Sequence, residues 1–71
     1  MTNAWKYKYE IRLGPGETNY IIRWEAGHNF PMYLQRVYKG KFIWNHDYMW
    51  AKLYSRETTV KHIRSLTGGD C

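Results

Sequence analysis

Along WKYKYEIRL, the apolar positions Trp5, Tyr7, Tyr9, Ile11 and Leu13 alternate with Lys6, Lys8, Glu10 and Arg12. A period of two sends the two sets to opposite faces of an extended chain and predicts a first strand over Trp5 to Leu13. The strand runs into Gly14-Pro15-Gly16. Pro presets φ and the following Gly supplies a positive φ, which predicts a type II turn. A second strand follows near Asn19 to Glu25, with Tyr20, Ile22 and Trp24 alternating with Ile21, Arg23 and Glu25, so the two form a hairpin.

The pattern is broken at AGHNFP, residues 26–31, a loop by composition. MYLQRVY, from Met32, reads as a third strand whose poor alternation predicts a bulge or central burial. Lys39-Gly40 punctuates it, and Phe42 to Trp44 forms a short fourth strand paired back across that turn. Asp47 is a helix N-cap for one short turn, Tyr48 to Ala51. Lys52 to Tyr54 is a short extended piece that joins the sheet.

Ser55 then caps a helix, RETTVKHIRSLT, with Glu57 in its first turn, where the helix dipole favours an anion, and Gly68 as its stop. Val60, Ile63 and Leu66, with Thr59, make a narrow apolar stripe. Lys61, Ser65 and Thr58 lie opposite it, and Arg64 and His62 lie on its flanks as solvated residues. The pattern gives an α+β fold: an antiparallel sheet of three to five strands with one C-terminal helix on one face. The narrow stripe cannot cover that face alone, so Trp44, Tyr48 and Trp50 are expected to complete the lid. Residues 5–67 form the ordered core and Gly68 to Cys71 a frayed tail.

Size sharpens this picture. Seventy-one residues make one small domain, which buries only about 60% of the surface its unfolded chain exposes. Cys71 is the single cysteine, so no disulfide staples the fold, and a lone thiol fits a reducing cytoplasm. His28, His46, His62 and Cys71 are too scattered in sequence to chelate zinc. Four Trp, seven Tyr and two Phe are the remaining source of dense burial. No apolar run approaches a membrane span and the first residues lack a signal-peptide layout, so a soluble cytoplasmic domain is expected.

The formal net charge is +5, from 11 Lys and Arg against six Asp and Glu. This favours an acidic partner, either nucleic acid or an acidic protein surface. Three clusters are the candidate contacts: Lys6, Lys8 and Arg12 on the first strand, Arg36, Lys39 and Lys41 around the Gly40 turn, and Lys61 and Arg64 on the helix. Because aromatic and basic side chains alternate, they point to opposite faces, and a base-stacking platform on the aromatic face would leave the cations pointing away. The aromatic face, Trp5, Tyr7, Tyr9, Ile11 and Leu13, is therefore assigned to the core. Ile21 is expected on the other face, adding apolar area to a basic contact surface.

No catalytic constellation is present. Glu10, Glu17, Glu25, Asp47, Glu57 and Asp70 are isolated in sequence. His46-Asp47 reads as a loop histidine beside a helix cap, and His28 as a loop residue. Pro15 removes a backbone donor that a phosphate loop would need. The chain is read as a non-enzyme without cofactor, metal or small-molecule substrate, and without a membrane partner.

Tyr33-Leu34, the Gly40 turn, then Trp44, Asp47, Ala51, Tyr54 and Ser55 follow the form Tyr-Leu, basic hairpin, Trp-x-x-Asp-x-x-x-Ala-x-x-aromatic, before a capped helix. This half of the chain resembles a class of small phage and prophage proteins with sheet-plus-helix architecture. The resemblance implies that fold type and a phage-like origin, and carries over no catalytic residues. With the small size and the basic charge, it leads to a phage-type effector that binds an acidic surface of a host protein in the bacterial cytoplasm, with the transcription machinery (RNA polymerase) as first candidate. The alternative is direct nucleic-acid binding through the basic strand and turn residues.

Overall fold

The computed structural model describes residues 6–68. Four strands, β1 (Tyr7–Leu13), β2 (Asn19–Glu25), β3 (Met32–Tyr38) and β4 (Lys41–Asn45), form an antiparallel sheet in the order β1-β2-β3-β4. A single 3-10 turn, Tyr48–Trp50, and one helix, α1 (Arg56–Thr67), follow. The expected α+β architecture, a sheet with one C-terminal helix, is present. Trp5 and the end of the predicted tail, residues 69–71, lie outside the described residues.

The register of the first hairpin decides which side chains share a face. Tyr9 lies opposite Arg23 and Ile11 opposite Ile21, while Lys8 lies opposite Trp24 and Arg12 opposite Tyr20. Directly opposed residues of an antiparallel pair point the same way. Ile21 therefore belongs to the Tyr7–Tyr9–Ile11 face and is fully buried there, which corrects its assignment to the basic face. The reason is the parity set by the connection through residues 14–18. That connection also differs from a type II turn around Pro15: Gly14 N donates to Thr18 O (2.9 Å), Thr18 N donates to Pro15 O (3.3 Å), and Gly16 takes the first central position with φ 66°. The Thr18 hydroxyl bonds the same Pro15 carbonyl and so favours the tighter turn.

The helix packs on the Ile21 face. Ile21, Leu34 and Thr59 are fully buried, and the His62 ring meets Phe42 edge-on at 5.8 Å and Tyr54 at 4.9 Å. Thr59 is tolerated in the core because its hydroxyl donates to Ser55 O (2.8 Å). His62 lies three residues on from Thr59, so it faces the sheet and is not the solvated flank residue expected. Ser55 Oγ accepts from Thr58 N at 3.3 Å, and Gly68, at φ 67°, ends the helix. Leu13, expected in the core, is 82% exposed. It is the last residue of an edge strand, whereas the helix packs on β2. Tyr7, Tyr9 and Ile11 are half-buried.

Two irregularities shape the sheet. Leu34 pairs with Trp44 and Arg36 with Ile43, so Gln35 is an extra residue, a bulge in β3. Between β2 and β3 the register holds only Ile22 with Tyr33 and Arg23 with Met32. Beyond those pairs the strands part, and residues 52–54 fill the gap: Lys52 N donates to Leu34 O (3.0 Å), and Asn19 and Tyr54 exchange two backbone bonds of 2.8 Å. The chain crosses from one face of the sheet to the other at this point.

Candidate functional site: the helix-free face of the sheet

The face turned away from α1 is assembled by register. It carries Lys8, Glu10 and Arg12 from β1, Tyr20, Ile22 and Trp24 from β2, and Tyr33 from β3. Past Gln35 it carries Arg36 and Tyr38 from β3, opposite Ile43 and Lys41 of β4. The bulge makes this possible. Strict alternation from Tyr33 would turn Arg36 toward the helix, and one extra residue reverses that parity. Gln35 is held in the bulge by the Asn45 Nδ2 donor at 3.2 Å.

Of the eight basic residues expected to bind a partner, Lys8, Arg12, Arg36 and Lys41 come together on this face. Lys39 stands at the turn beside it with φ 50°. Arg36 and Lys39 both lie over the exposed Tyr38 ring, at 4.9 and 5.4 Å, so the turn cluster is organised by one aromatic. Lys6 precedes β1 and reaches over Tyr7, at 5.5 Å. Lys61 and Arg64 do not join. They line a shallow hollow of about 330 Å³ with Ser65 and Gly68 on α1, in the opposite layer.

Glu10 is the only acid on the strands of this face. Trp24 Nε1 and Arg12 Nη2 each donate to its Oε1 at 3.0 Å. The Trp24 bond, then the Arg12 bond, hold its carboxyl below the ordinary carboxylate range. Glu10 thus offsets one cation and fixes the Trp24 indole, with Lys8 on the rim of the same open groove of about 520 Å³.

The centre of the face is occupied by tyrosines. Tyr48, from the 3-10 turn, meets Tyr20 at 5.4 Å and Tyr33 at 5.6 Å, both edge-on, and Tyr20 lies 6.2 Å from Tyr33. Ile22, in register with Tyr33, is only 2% exposed. Burial raises the Tyr20 hydroxyl pKa, and Tyr48 adds to the effect. Tyr48, expected to complete the helix-side lid, instead lies on the face opposite the helix and is itself 52% exposed. Trp44 lies on the helix side and stacks on Tyr9 at 6.0 Å.

Next in the turn, Met49 is 84% and Trp50 56% exposed. Trp50 is therefore no part of a lid. The turn that presents these two is rigidly tied. Asp47 Oδ1 accepts from Met49 N (3.0 Å), Asn45 Oδ1 from Asp47 N (2.8 Å), and Tyr48 O from Ala51 N (2.9 Å). A single 3-10 turn points successive side chains in different directions, so anchoring Tyr48 on the sheet leaves Met49 and Trp50 outside. That geometric limit was the signal available in the sequence.

Among the described residues no group of three His, Cys, Asp or Glu side chains is placed to hold a metal ion, and no helix is long and apolar enough to cross a membrane. Asp47, next to His46, spends its carboxylate on the Met49 amide. The chain matches no family model, no curated protein and no solved structure.

Proposed function

We propose that this chain is a non-catalytic binding protein whose helix-free face docks on an acidic surface of a partner protein. The observation that carries the reading is the convergence of Lys8, Arg12, Arg36 and Lys41, from three strands, on one face with a single strand acid, Glu10. Met49 and Trp50, in the turn that sets Tyr48 on this face, add exposed apolar area. Aromatic, Met and Arg side chains are the types enriched at the centres of protein interfaces. The phage-like pattern supports an effector that modulates a protein of its bacterial host, with RNA polymerase as the first target to test.

The same face mixes Tyr20, Trp24, Tyr33 and Tyr38 with the cations, and so removes the objection that aromatics and bases point apart. It is still a poor stacking platform for bases, because the edge-on contacts of Tyr48 with Tyr20 and Tyr33 occupy its centre. The test is affinity capture from nuclease-treated bacterial lysate, followed by titration with the purified captured protein. A protein partner survives nuclease. Loss of every partner on nuclease treatment, together with tight binding to DNA or RNA at physiological salt, contradicts the reading.

A further inference from the structure

β1 stands at the end of the sheet, and among the described residues β2 is the only strand beside it. It opposes β2 without a bulge, from Tyr7 with Glu25 to Leu13 with Asn19. Backbone bonds at both ends of this hairpin fix which groups face outward. Lys6 O accepts from Ala26 N at 3.1 Å, and Gly14 N donates to Thr18 O at 2.9 Å. Asn19, opposite Leu13, gives both its backbone groups to Tyr54. Bonded and non-bonded pairs alternate along an antiparallel ladder. Lys8, Glu10 and Arg12 therefore bond to β2, and Tyr7, Tyr9, Ile11 and Leu13 turn their N–H and C=O groups to the open edge.

Proline and bulges, which protect an edge strand from pairing, are missing from β1, and its charges are of both signs. Leu13 lies on this edge 82% exposed. The edge is also complementary to itself. A second copy placed antiparallel about a two-fold axis at Ile11 sets Ile11 against Ile11, Tyr9 against Leu13 and Glu10 against Arg12. Opposed residues share a side of the sheet. Tyr9, Ile11 and Leu13 of both copies then form one apolar row that covers Leu13, and their backbones exchange the outward hydrogen bonds. On the other side, two Glu10–Arg12 pairs cross the seam.

The neighbouring registers that keep the outward groups opposed fail on charge. Centred on Glu10, the pairing sets Glu10 against Glu10 and Lys8 against Arg12. Centred on Arg12, it sets Arg12 against Arg12. Centred on Tyr9, it gains Lys8 with Glu10 but sets Lys6 against Arg12. Like charges directly opposite destabilise a strand pair. We propose that the chain forms a two-fold homodimer through the edge of β1, with Ile11 at the axis, joining two sheets into one. Each copy uses its β1 edge once, so the assembly closes at two. The contact lies at the rim of the sheet and stands whatever the helix-free face binds.

The test is sedimentation equilibrium of the full chain at physiological salt, up to about 1 mM. The apparent mass rises with concentration from that of one chain to that of two. Leu13→Pro changes an exposed side chain and an N–H that β2 does not use, so it spares the monomer and weakens dimerisation about tenfold or more. Arg12→Glu puts acids against each other across the seam, and Glu10→Arg puts bases there, so each alone stays monomeric. An equimolar mixture of the two restores both opposite-charge pairs and forms a one-to-one dimer. A wild-type chain that stays monomeric to about 1 mM overturns the proposal, as does a mass beyond the dimer, wild-type association in Leu13→Pro, or a mixture that stays monomeric. If Glu10→Arg, which loses the Trp24 bond, does not fold, wild-type association in Arg12→Glu overturns it.

Discussion

Asn19 and Tyr54 exchange two backbone hydrogen bonds of 2.8 Å and thereby seal the point where the chain passes between β2 and β3. This contact divides the labour of the molecule. On one side, Tyr48 meets Tyr20 and Tyr33 edge-on; on the other, α1 packs on the face that holds the buried Ile21 and Leu34.

The tyrosine cluster has a direct consequence. Tyr48→Ala removes two edge-on ring contacts and should cost about 1–3 kcal/mol. Trp50→Ala, two residues on in the same turn, should change stability by no more than about 0.5 kcal/mol, as expected for an exposed side chain. Urea unfolding of both variants checks the contrast.

Deleting Gln35 tests the bulge. Without the extra residue the ladder becomes regular, Leu34 opposite Trp44 and its new neighbour Arg36 opposite Ile43, so Arg36 and Tyr38 keep the helix-free face and Val37 keeps the helix side. The deletion should therefore keep cooperative unfolding and the basic face, and a collapse of the fold would show that the bulge is needed for more than parity. Gln35→Ala keeps the residue count, loses only the Asn45 bond and should cost about 1 kcal/mol. Circular dichroism melts distinguish the two.

His62 predicts a pH dependence. Burial between Phe42 and Tyr54, and secondarily the Lys61 charge, lower its pKa below 6.5. The unfolded chain therefore binds a proton that the folded chain resists. The contribution of His62 is fully present above about pH 6.5 and is lost as pH falls through the folded value. Tyr54, whose pKa is raised by burial, does not titrate in this window. His62→Phe should flatten the stability profile between pH 7 and 5. The depressed Glu10 pKa acts in the same direction at lower pH, so its loss begins below about 4.5. Urea midpoints measured across the pH range resolve the two steps.

Much of this fold was legible because its signals are local. Ser55, the Thr59–Ile63 stripe and Gly68 define α1 within a dozen residues, and poor alternation in MYLQRVY marks the bulge. Face assignment was not legible, because it depends on parity accumulated through turns. One connection through residues 14–18 places Ile21 with Ile11, and one bulged Gln35 brings Arg36 to the side of Lys8. The exposure of Met49 and Trp50 followed from the single 3-10 turn that sets Tyr48 against the sheet, which apolar composition alone does not reveal.

The claim that the helix-free face binds the partner is tested most directly by two double variants of equal net charge. Arg36→Glu with Lys41→Glu reverses the basic face, and Lys61→Glu with Arg64→Glu reverses the helix. The captured partner's affinity is measured for each by isothermal titration calorimetry at physiological salt. The sheet pair should lose roughly 100-fold or more, equivalent to about 3 kcal/mol, with the helix pair near wild type. Equal losses in both, or a greater loss in the helix pair, would contradict the account, because the effect would then follow net charge or the opposite layer.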